Sequence, residues 1–192
     1  MILIEWILNH QYLFFCERVV MDIFEGGQAV SLAEILDNRY WRVQMQNELM
    51  TEFPESTVVS VKLNVPGWVK NSLVLKEVFE TSWSEITTTA LSVKKFADRK
   101  TGPEGFLVFD GDLKMIKTIM IDFEEHHPLG RLFDLDVMNL SESGKQLSRT
   151  SLGFPLRKCF VCGRAAKECA REGRHSAAEI IDAMNRIVGN AE

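Results

Sequence analysis

The chain has 192 residues, of which 46% are apolar and 26% are charged, and its formal net charge is −5. This composition is ordinary for one globular domain that can bury a core. The negative charge argues against general nucleic-acid binding through bulk electrostatics. Four cysteines, three of them late in the chain, do not form the pattern of a secreted disulfide framework.

Residues 1–20 are apolar but lack the features of a signal peptide. They have no basic start, and Glu5, Asn9 and His10 interrupt the run. The uncharged stretch 6–16 is too short for a membrane-spanning helix. We therefore expect a cytoplasmic protein that has no membrane partner.

The first half of the chain predicts two helices around a strand. Ser31 and Glu34 have the spacing of a capping box, which predicts a helix that ends near Pro54. Strict alternation of apolar and polar residues over 59–65 predicts a half-buried strand. A second helix is predicted over about 72–96, although the threonines at 87–89 weaken its middle.

The second half predicts more strands and a last helix. A short strand at 106–109 precedes Asp110-Gly111, a hairpin signal that makes residues 115–123 the returning strand. The strand that carries Asp134 and Asp136 follows, and Ser143-Gly144 predicts another hairpin with a strand through residue 147. A capping box at 176–179 begins the last helix. The fold class is α+β, with a small mixed or antiparallel sheet and flanking helices on one side.

Asp134 and Asp136 are the most informative residues of the chain. Side chains two positions apart in a strand lie on the same face, so the two carboxylates project together. They repel each other and need a compensating cation or must take up a proton. Mg²⁺ is the cation that the pattern favours, since it binds through one or two carboxylates and substrate phosphates.

The residues before the two aspartates suit a phosphate ligand. Gly130 allows close approach of the backbone, and Arg131 has the planar fork that matches phosphate. His126 and His127 are candidates for a base or a phosphate ligand, because histidine changes charge near neutral pH. His127 precedes Pro128, and a purely structural role in the turn is the alternative.

A basic segment that contains three cysteines lies near the C-terminus. Residues 157–174 hold two acids and six basic residues, namely Arg157, Lys158, Arg164, Lys167, Arg171 and Arg174. This segment predicts an anionic ligand or an acidic protein partner, or else a solvated surface. Cys159, Cys162, Cys169 and His175 have the composition of a structural Cys₃His zinc site, and buried free cysteines are the alternative.

Several separated segments together resemble the apo-citrate lyase phosphoribosyl-dephospho-CoA transferase family. They are Asn64-Val-Pro-Gly67, Lys70-Asn71-Ser72, Gly102-Pro-Glu-Gly105, His127-Pro-Leu-Gly-Arg-Leu-Phe-Asp-Leu-Asp-Val137, Arg157-Lys-Cys-Phe-Val-Cys162 and Glu168-Cys-Ala-Arg171. The resemblance begins at about Met21. We therefore expect residues 1–20 to be an N-terminal extension and residues 21–192 to be one transferase domain, with its cysteine-containing basic segment at about 157–192.

The resemblance implies a modification enzyme. It implies transfer of the phosphoribosyl-dephospho-CoA group from triphosphoribosyl-dephospho-CoA to a serine of the citrate lyase acyl carrier (gamma) subunit, with release of diphosphate. Residues 130–137 also resemble the active-site strand of nucleotidyltransferases.

On this reading Asp134 and Asp136 hold Mg²⁺ and Arg131 stabilises the reacting phosphate. Gly130, His127, Arg157 and Lys158 bind substrate. A third carboxylate is expected from Glu104, Glu124 or Glu125. Two alternatives stay open, a non-catalytic module that binds a carrier protein and a metal-dependent phosphohydrolase.

Overall fold

A computed structural model of the protein describes residues 22–191. The predicted N-terminal extension, residues 1–20, lies outside this range. The described residues form an α+β fold, as predicted, built around one four-stranded sheet. No helix in residues 22–191 is long and apolar enough to cross a membrane.

The sheet is antiparallel throughout, with the strand order β2-β3-β1-β4. Its strands are β1 (Thr57–Leu63), β2 (Ser92–Phe96), β3 (Glu104–Phe109) and β4 (Phe133–Met138). The predicted strand is confirmed, at 57–63 instead of 59–65, but it is not half-buried, because Ser60 on its polar side is fully buried. The two aspartates lie on β4, at one edge of the sheet.

Five α-helices accompany the sheet in the described part of the chain. They are α1 (Leu32–Glu52), α2 (Leu73–Thr87), α3 (Leu113–His126), α4 (Ala166–Glu172) and α5 (Ala177–Gly189). Both predicted capping boxes are present, Ser31 with Glu34 at α1 and Ser176 with Glu179 at α5. Single 3₁₀ turns cover Gly130–Leu132 and Thr150–Leu152.

Helices cover both faces of the sheet, whereas the sequence predicted helices on one side. Val59 and Val61 of β1 pack in a large cluster with α2, α3 and α5. Val58 of β1 faces the other way and packs against Leu49 and Met50 of α1. Because α1 meets the second face only through its C-terminal half, the region beside its N-terminal half is left for polar side chains.

Residues 115–123 are part of helix α3, so the predicted returning strand is wrong. Asp112 caps the helix, because its carboxylate accepts hydrogen bonds from the amides of Lys114 and Met115. The residues that α3 buries recur at intervals of three and four, which is the helical period. They are Leu113, Ile116, Lys117, Met120, Ile121 and Glu124.

The predicted helix over 72–96 is also too long. Helix α2 ends at Thr87, and β2 follows at Ser92–Phe96 on the outer edge of β3. Thr87 and Thr88 each bond the carbonyl of Ser84 through their hydroxyls, which is typical of a helix end rather than an interior. The turn at Ser143-Gly144 is present, but residue 147 makes one backbone hydrogen bond to β4 instead of forming a strand.

Side chains of helix α3 supply hydrogen-bond partners for the backbone at the outer edge of β4. The ammonium of Lys117 donates to the carbonyl of Leu135 at 2.8 Å, and the amide of Leu135 donates to the carboxylate of Glu124 at 2.9 Å. An edge strand otherwise exposes such groups to unwanted pairing. The strand that carries Asp134 and Asp136 is therefore held on both edges, by β1 on one and by α3 on the other.

Candidate active site

Asp134 and Asp136 share one cation, the ammonium of Lys62. Lys62 lies directly opposite Asp134 in the β1–β4 register, and its Nζ is 2.8 Å from Asp134 Oδ2 and 2.5 Å from Asp136 Oδ2. Burial opposes the charge on Lys62, but the two aspartates outweigh it and raise its pKa. Burial likewise opposes ionisation of Asp134, yet Lys62 and Arg157 lower its pKa overall. Lys62 and Asp134 are therefore charged near neutral pH.

The two aspartates do not fit a ready-made magnesium site. Lys62 contacts both carboxylates, and the guanidinium of Arg157 lies 3.7 Å from the other oxygen of Asp134. Among residues 22–191, no third carboxylate, histidine or cysteine joins the aspartates within ligand distance. The compensating cation that the sequence demands is thus supplied by the protein itself.

The three candidates for a third carboxylate lie in different surroundings. Glu104 is buried and is bound by Arg42 at 2.6 Å and by the amide of Asn38 at 2.5 Å. Glu124 is also buried, below the edge of β4, and Glu125 lies on the exposed side of α3. Of these three, Glu104 alone lines the same cavity as Asp134.

That cavity, called here the first cavity, has a volume of about 270 Å³. It lies between the N-terminal half of α1 and the ends of β1, β3 and β4. Its lining includes Arg39, Arg42, Lys62, Asn64, Lys70, Thr101, Gly102, Glu104 and Asp134. Three of the segments that carry the family resemblance, at 64–67, 70–72 and 102–105, therefore meet the aspartate strand around one space.

A second cavity, of about 470 Å³, lies on the other side of Arg157. It is rich in basic side chains, and its lining includes Glu124, Glu125, His126, Arg131, Arg149, Arg157 and Lys158. Arg157 bonds the carboxylate of Glu124, and Arg149 bonds the same carboxylate at 3.2 Å. Because Arg157 also approaches Asp134 of the first cavity, the two cavities adjoin at this side chain.

Arg131 has a guanidinium with unused hydrogen-bonding capacity. One of its terminal nitrogens donates to the carbonyl of Lys158, and the group lies 4.2 Å over the ring of Phe160. Its other terminal nitrogen is buried and makes no hydrogen bond within residues 22–191. Burial, together with the charge of Arg157, lowers the pKa of Arg131 to about 10. An anion bound near Arg131 would stabilise the positive charge of the guanidinium, which its surroundings compensate only in part.

Gly130 and His127 build the turn before β4. The amide of Gly130 donates to the carbonyl of His127 at 2.9 Å, and a Cβ at Gly130 would lie 2.0 Å from the carbonyl oxygen of Phe123. His127 stacks on Phe123 with ring centroids 4.4 Å apart and accepts a hydrogen bond from the amide of Leu129. Glycine is therefore required here by close packing against α3, and the imidazole is engaged within the turn.

The predicted Cys₃His group is assembled by the fold. The ligand atoms of Cys159, Cys162, Cys169 and His175 all lie within 4.8 Å of one another. The sulfurs of Cys162 and Cys169 are 3.6 Å apart, and His175 Nε2 is 3.3 Å from the Cys162 sulfur. Tetrahedral Zn–S bonds of about 2.3 Å place two sulfurs about 3.8 Å apart. The arrangement can hold a metal ion.

Some residues of the site are not evident from the sequence pattern. Lys62 comes from β1, far in sequence from the two aspartates that it contacts, and Arg42 and Asn38 come from α1, far in sequence from Glu104 that they bind. Lys62 does lie on the polar side of the alternating strand 59–65, and this position is the signal in the sequence that could have identified it. Its placement opposite Asp134 depends on which strand pairs with β1 and in what register, and the pattern does not contain that information.

Comparison with known proteins gives one consistent family. A family model described as apo-citrate lyase phosphoribosyl-dephospho-CoA transferase matches residues 30–191. The chain is 36% identical over 173 residues to a probable apo-citrate lyase phosphoribosyl-dephospho-CoA transferase of Streptococcus pyogenes serotype M18, covering 87% of this chain and 90% of that protein. It is 32% identical over 170 residues to the apo-citrate lyase phosphoribosyl-dephospho-CoA transferase of Citrobacter koseri, covering 85% and 91%.

A more similar but longer relative is the protein CitXG of Leuconostoc mesenteroides subsp. cremoris. The two are 46% identical over 177 residues, which is 90% of this chain. The chain spans 38% of the length of that relative.

Proposed function

The chain belongs to the apo-citrate lyase phosphoribosyl-dephospho-CoA transferase family, and we propose that it catalyses the transfer for which that family is named. The donor is triphosphoribosyl-dephospho-CoA and the acceptor is a serine of the citrate lyase acyl carrier (gamma) subunit. Diphosphate is released. The observation that carries this proposal is the Asp134–Lys62–Asp136 centre in the wall of a cavity bordered by the family's own segments.

The reaction exchanges a phosphoanhydride bond of the donor for a phosphodiester bond to the carrier serine. The hydroxyl oxygen of the serine attacks the phosphorus next to the ribose, a new P–O bond forms, and the anhydride P–O bond to diphosphate breaks. The hydroxyl proton passes to the departing diphosphate or to solvent. Asp134 lines the cavity and accepts a hydrogen bond from the attacking hydroxyl, which orients it. Lys62, held in its charged form by both aspartates, stabilises the charge on the phosphate oxygens.

Arg131, Arg157 and Lys158 bind the remaining anionic groups of the donor from the second cavity. The lowered pKa of Arg131 supports this role, because an anionic ligand relieves the unfavourable charge that burial and Arg157 create. Gly130 and His127 contribute by shaping the turn that presents Arg131.

Because Lys62 already contacts both carboxylates, the proposed steps at Asp134 and Asp136 use the lysine ammonium. The nucleotidyltransferase likeness of residues 130–137, the cytoplasmic location and the absence of a nucleic-acid partner stay predictions from the sequence.

Intact mass spectrometry of the carrier tests the transfer. The protein is mixed with the triphosphate donor, apo-carrier and Mg²⁺, and the carrier should gain the mass of the phosphoribosyl-dephospho-CoA group. Asp134→Asn should reduce the initial rate at least about a hundredfold, because one hydrogen-bonding group at a reacting centre is worth about that much. Asp110→Asn, which changes an exposed aspartate at the end of β3, is the matched control and should retain the wild-type rate.

The two alternatives predict different outcomes of the same experiment. Donor hydrolysis with an unmodified carrier would identify a phosphohydrolase. A stable complex with the carrier, without a mass change or donor breakdown, would identify a binding module. Wild-type transfer by a folded Asp134→Asn variant would remove Asp134 from the mechanism.

We also propose that the ion held by Cys159, Cys162, Cys169 and His175 is a structural Zn²⁺. The short distances among the four ligand atoms support this assignment. His175 Nδ1 lies 4.0 Å from a carboxylate oxygen of Glu179, and this carboxylate can orient the imidazole ring. Four protein ligands leave no open position for catalysis.

Elemental analysis should therefore find one zinc per chain in protein purified without added metal. A chelator should lower the melting temperature of the wild-type protein and should have no further effect on Cys162→Ser. Metal-free protein whose melting temperature a chelator leaves unchanged would reject the site.

A further inference from the structure

The first cavity holds more positive charge than its own carboxylates balance. Arg42 is paired with Glu104 at 2.6 Å, and Lys62 is shared by Asp134 and Asp136. Two more cations, Arg39 from α1 and Lys70 from the segment after β1, also line the cavity. Within residues 22–191 neither of them makes an ion pair with a carboxylate.

The proximity of Arg39 and Lys70 is electrostatically unfavourable. Lys70 is half-buried, and its ammonium donates to the carbonyl of Val65 at 2.6 Å. Burial, and in addition the positive charge of Arg39, lower the pKa of Lys70. Two like charges that face one cavity repel each other, and an anion bound between them offsets that repulsion.

The remaining lining also suits an anion. Asn64 and Thr101 add an amide and a hydroxyl to the wall. Gly102 has a φ of +110°, and a Cβ there would lie 3.1 Å from the carbonyl oxygen of Lys70. This glycine lets the 101–104 segment close against the Lys70 backbone, which fixes the direction from which Lys70 enters the cavity.

We propose that the first cavity is a polyphosphate subsite in which Arg39 and Lys70 are the phosphate-binding cations. Four cations line it, and within residues 22–191 three carboxylates, Glu104, Asp134 and Asp136, pair with Arg42 and Lys62. Arg39 and Lys70 are thus left for a ligand, and the pair suits a multiply charged anion better than a single carboxylate. The inference rests on the proposed function and deepens it. The diphosphate portion of the donor, which becomes the leaving group, binds in the first cavity, beside Lys62 and Asp134, while the rest of the donor reaches toward the second cavity.

Calorimetric titration of the full-length protein with inorganic diphosphate, without added divalent cations, tests the subsite. Wild-type protein should bind diphosphate. Arg39→Gln and Lys70→Gln should each weaken binding about tenfold, which is the usual worth of one charge-assisted hydrogen bond. Lys70→Arg keeps the charge and should retain most of the affinity, which separates loss of charge from loss of fold.

Two control variants locate the effect. Lys145→Gln, in the exposed turn after β4, should leave diphosphate affinity unchanged, as should Lys167→Gln on the exposed surface of α4. No binding by the wild-type protein would overturn the inference. So would unchanged affinity in the Arg39 and Lys70 variants, or an equal loss of affinity in Lys145→Gln or Lys167→Gln.

The carrier assay separates this inference from the proposed function. A loss of diphosphate binding in the Arg39 and Lys70 variants, together with a raised KM for the donor, supports both. Carrier modification with an unchanged KM in those variants would overturn the subsite and leave the transfer standing. Diphosphate binding that depends on Arg39 and Lys70, in a protein that never modifies the carrier, would retain the subsite and overturn the transfer.

Discussion

At the scale of single residues, Gly130 shows how packing and function can demand the same residue. It stands one position before Arg131 and four before Asp134, in a turn that presses on the end of α3. The close approach to Phe123 leaves no room for a side chain, whatever binds nearby. A defect in a Gly130 variant must therefore be separated from a loss of stability before it is assigned to catalysis.

Gly130→Ala should destabilise the protein by about 3 kcal/mol, because the added methyl group overlaps the backbone of α3. Urea unfolding followed by circular dichroism measures the change. Gly189→Ala is the matched control, since nothing lies within 4 Å of a Cβ at that helical position, and it should cost no stability. Equal stability of the two variants would contradict the packing role.

Glu34 gives the protein a pH-dependent helix cap. Its hydrogen bond with Lys100, followed by those with Ser31, lowers its pKa from 4.5 to about 2. A carboxyl group whose pKa is lower in the folded state stabilises the fold above its unfolded pKa and loses that contribution as the pH falls toward 2.

Thermal unfolding of wild-type protein and Glu34→Gln should therefore differ most above about pH 5 and converge near pH 2. Gln keeps the geometry of the capping box and removes only the charge. Glu48→Gln changes an exposed residue of the same helix and should follow the wild-type curve throughout. A constant difference between Glu34→Gln and wild-type protein at all pH values would contradict the ionic contribution.

The residues of the candidate site differ in how far the sequence alone could place them. Asp134 and Asp136 could be assigned to one face of a strand, because a spacing of two residues fixes that relation locally. The need for a compensating positive charge also followed from their proximity. That Lys62 lies between the two carboxylates depends on strand register, which long-range packing decides.

At the scale of secondary structure, the contact between α3 and β4 supports the strand that carries the two aspartates of the site. Glu124 accepts the amide of Leu135, the residue between the two aspartates, and its other contacts go to Arg149 and Arg157. One buried carboxylate thus holds the edge strand and two arginines of the second cavity together.

Glu124→Gln should lower the free energy of unfolding by about 3 kcal/mol, because two partly buried arginines lose their charged partner. Glu125→Gln is a natural control, since the neighbouring carboxylate is more exposed and pairs only with Arg149, and its cost should stay within about 0.5 kcal/mol. Urea unfolding measures both. A cost for Glu124→Gln as small as that of Glu125→Gln would show that the buried carboxylate does not support β4.

The same region explains the largest error of the sequence prediction. Asp110-Gly111 carries a strong hairpin signal, and residues 115–123 are rich in β-branched and apolar residues. Asp112 nevertheless caps a helix, and the apolar residues that follow bury a stripe at intervals of three and four. Asp112, the residue directly after Asp110-Gly111, was thus decisive, since helix N-caps and hairpin turns favour the same residue types.

At the scale of the whole molecule, the family match and the described hydrophobic core cover nearly the same part of the chain. The match begins at residue 30, and the hydrophobic cluster includes Ile23, which packs with α2 and α5. We expect a shortened chain that begins at Met21 to modify the carrier at the full-length rate in the mass-spectrometric assay. A large loss of rate in this folded shorter chain would assign residues 1–20 a part in the reaction.

Glu124 also fixes the distance between the two cavities. It is bonded at once to the strand of the first cavity and to the arginines of the second, so the span between the two cavities is fixed by one side chain rather than by a flexible loop. A ligand that occupies both cavities must bridge that span. A molecule that carries the same charges on a shorter or longer backbone therefore fails to reach both cavities.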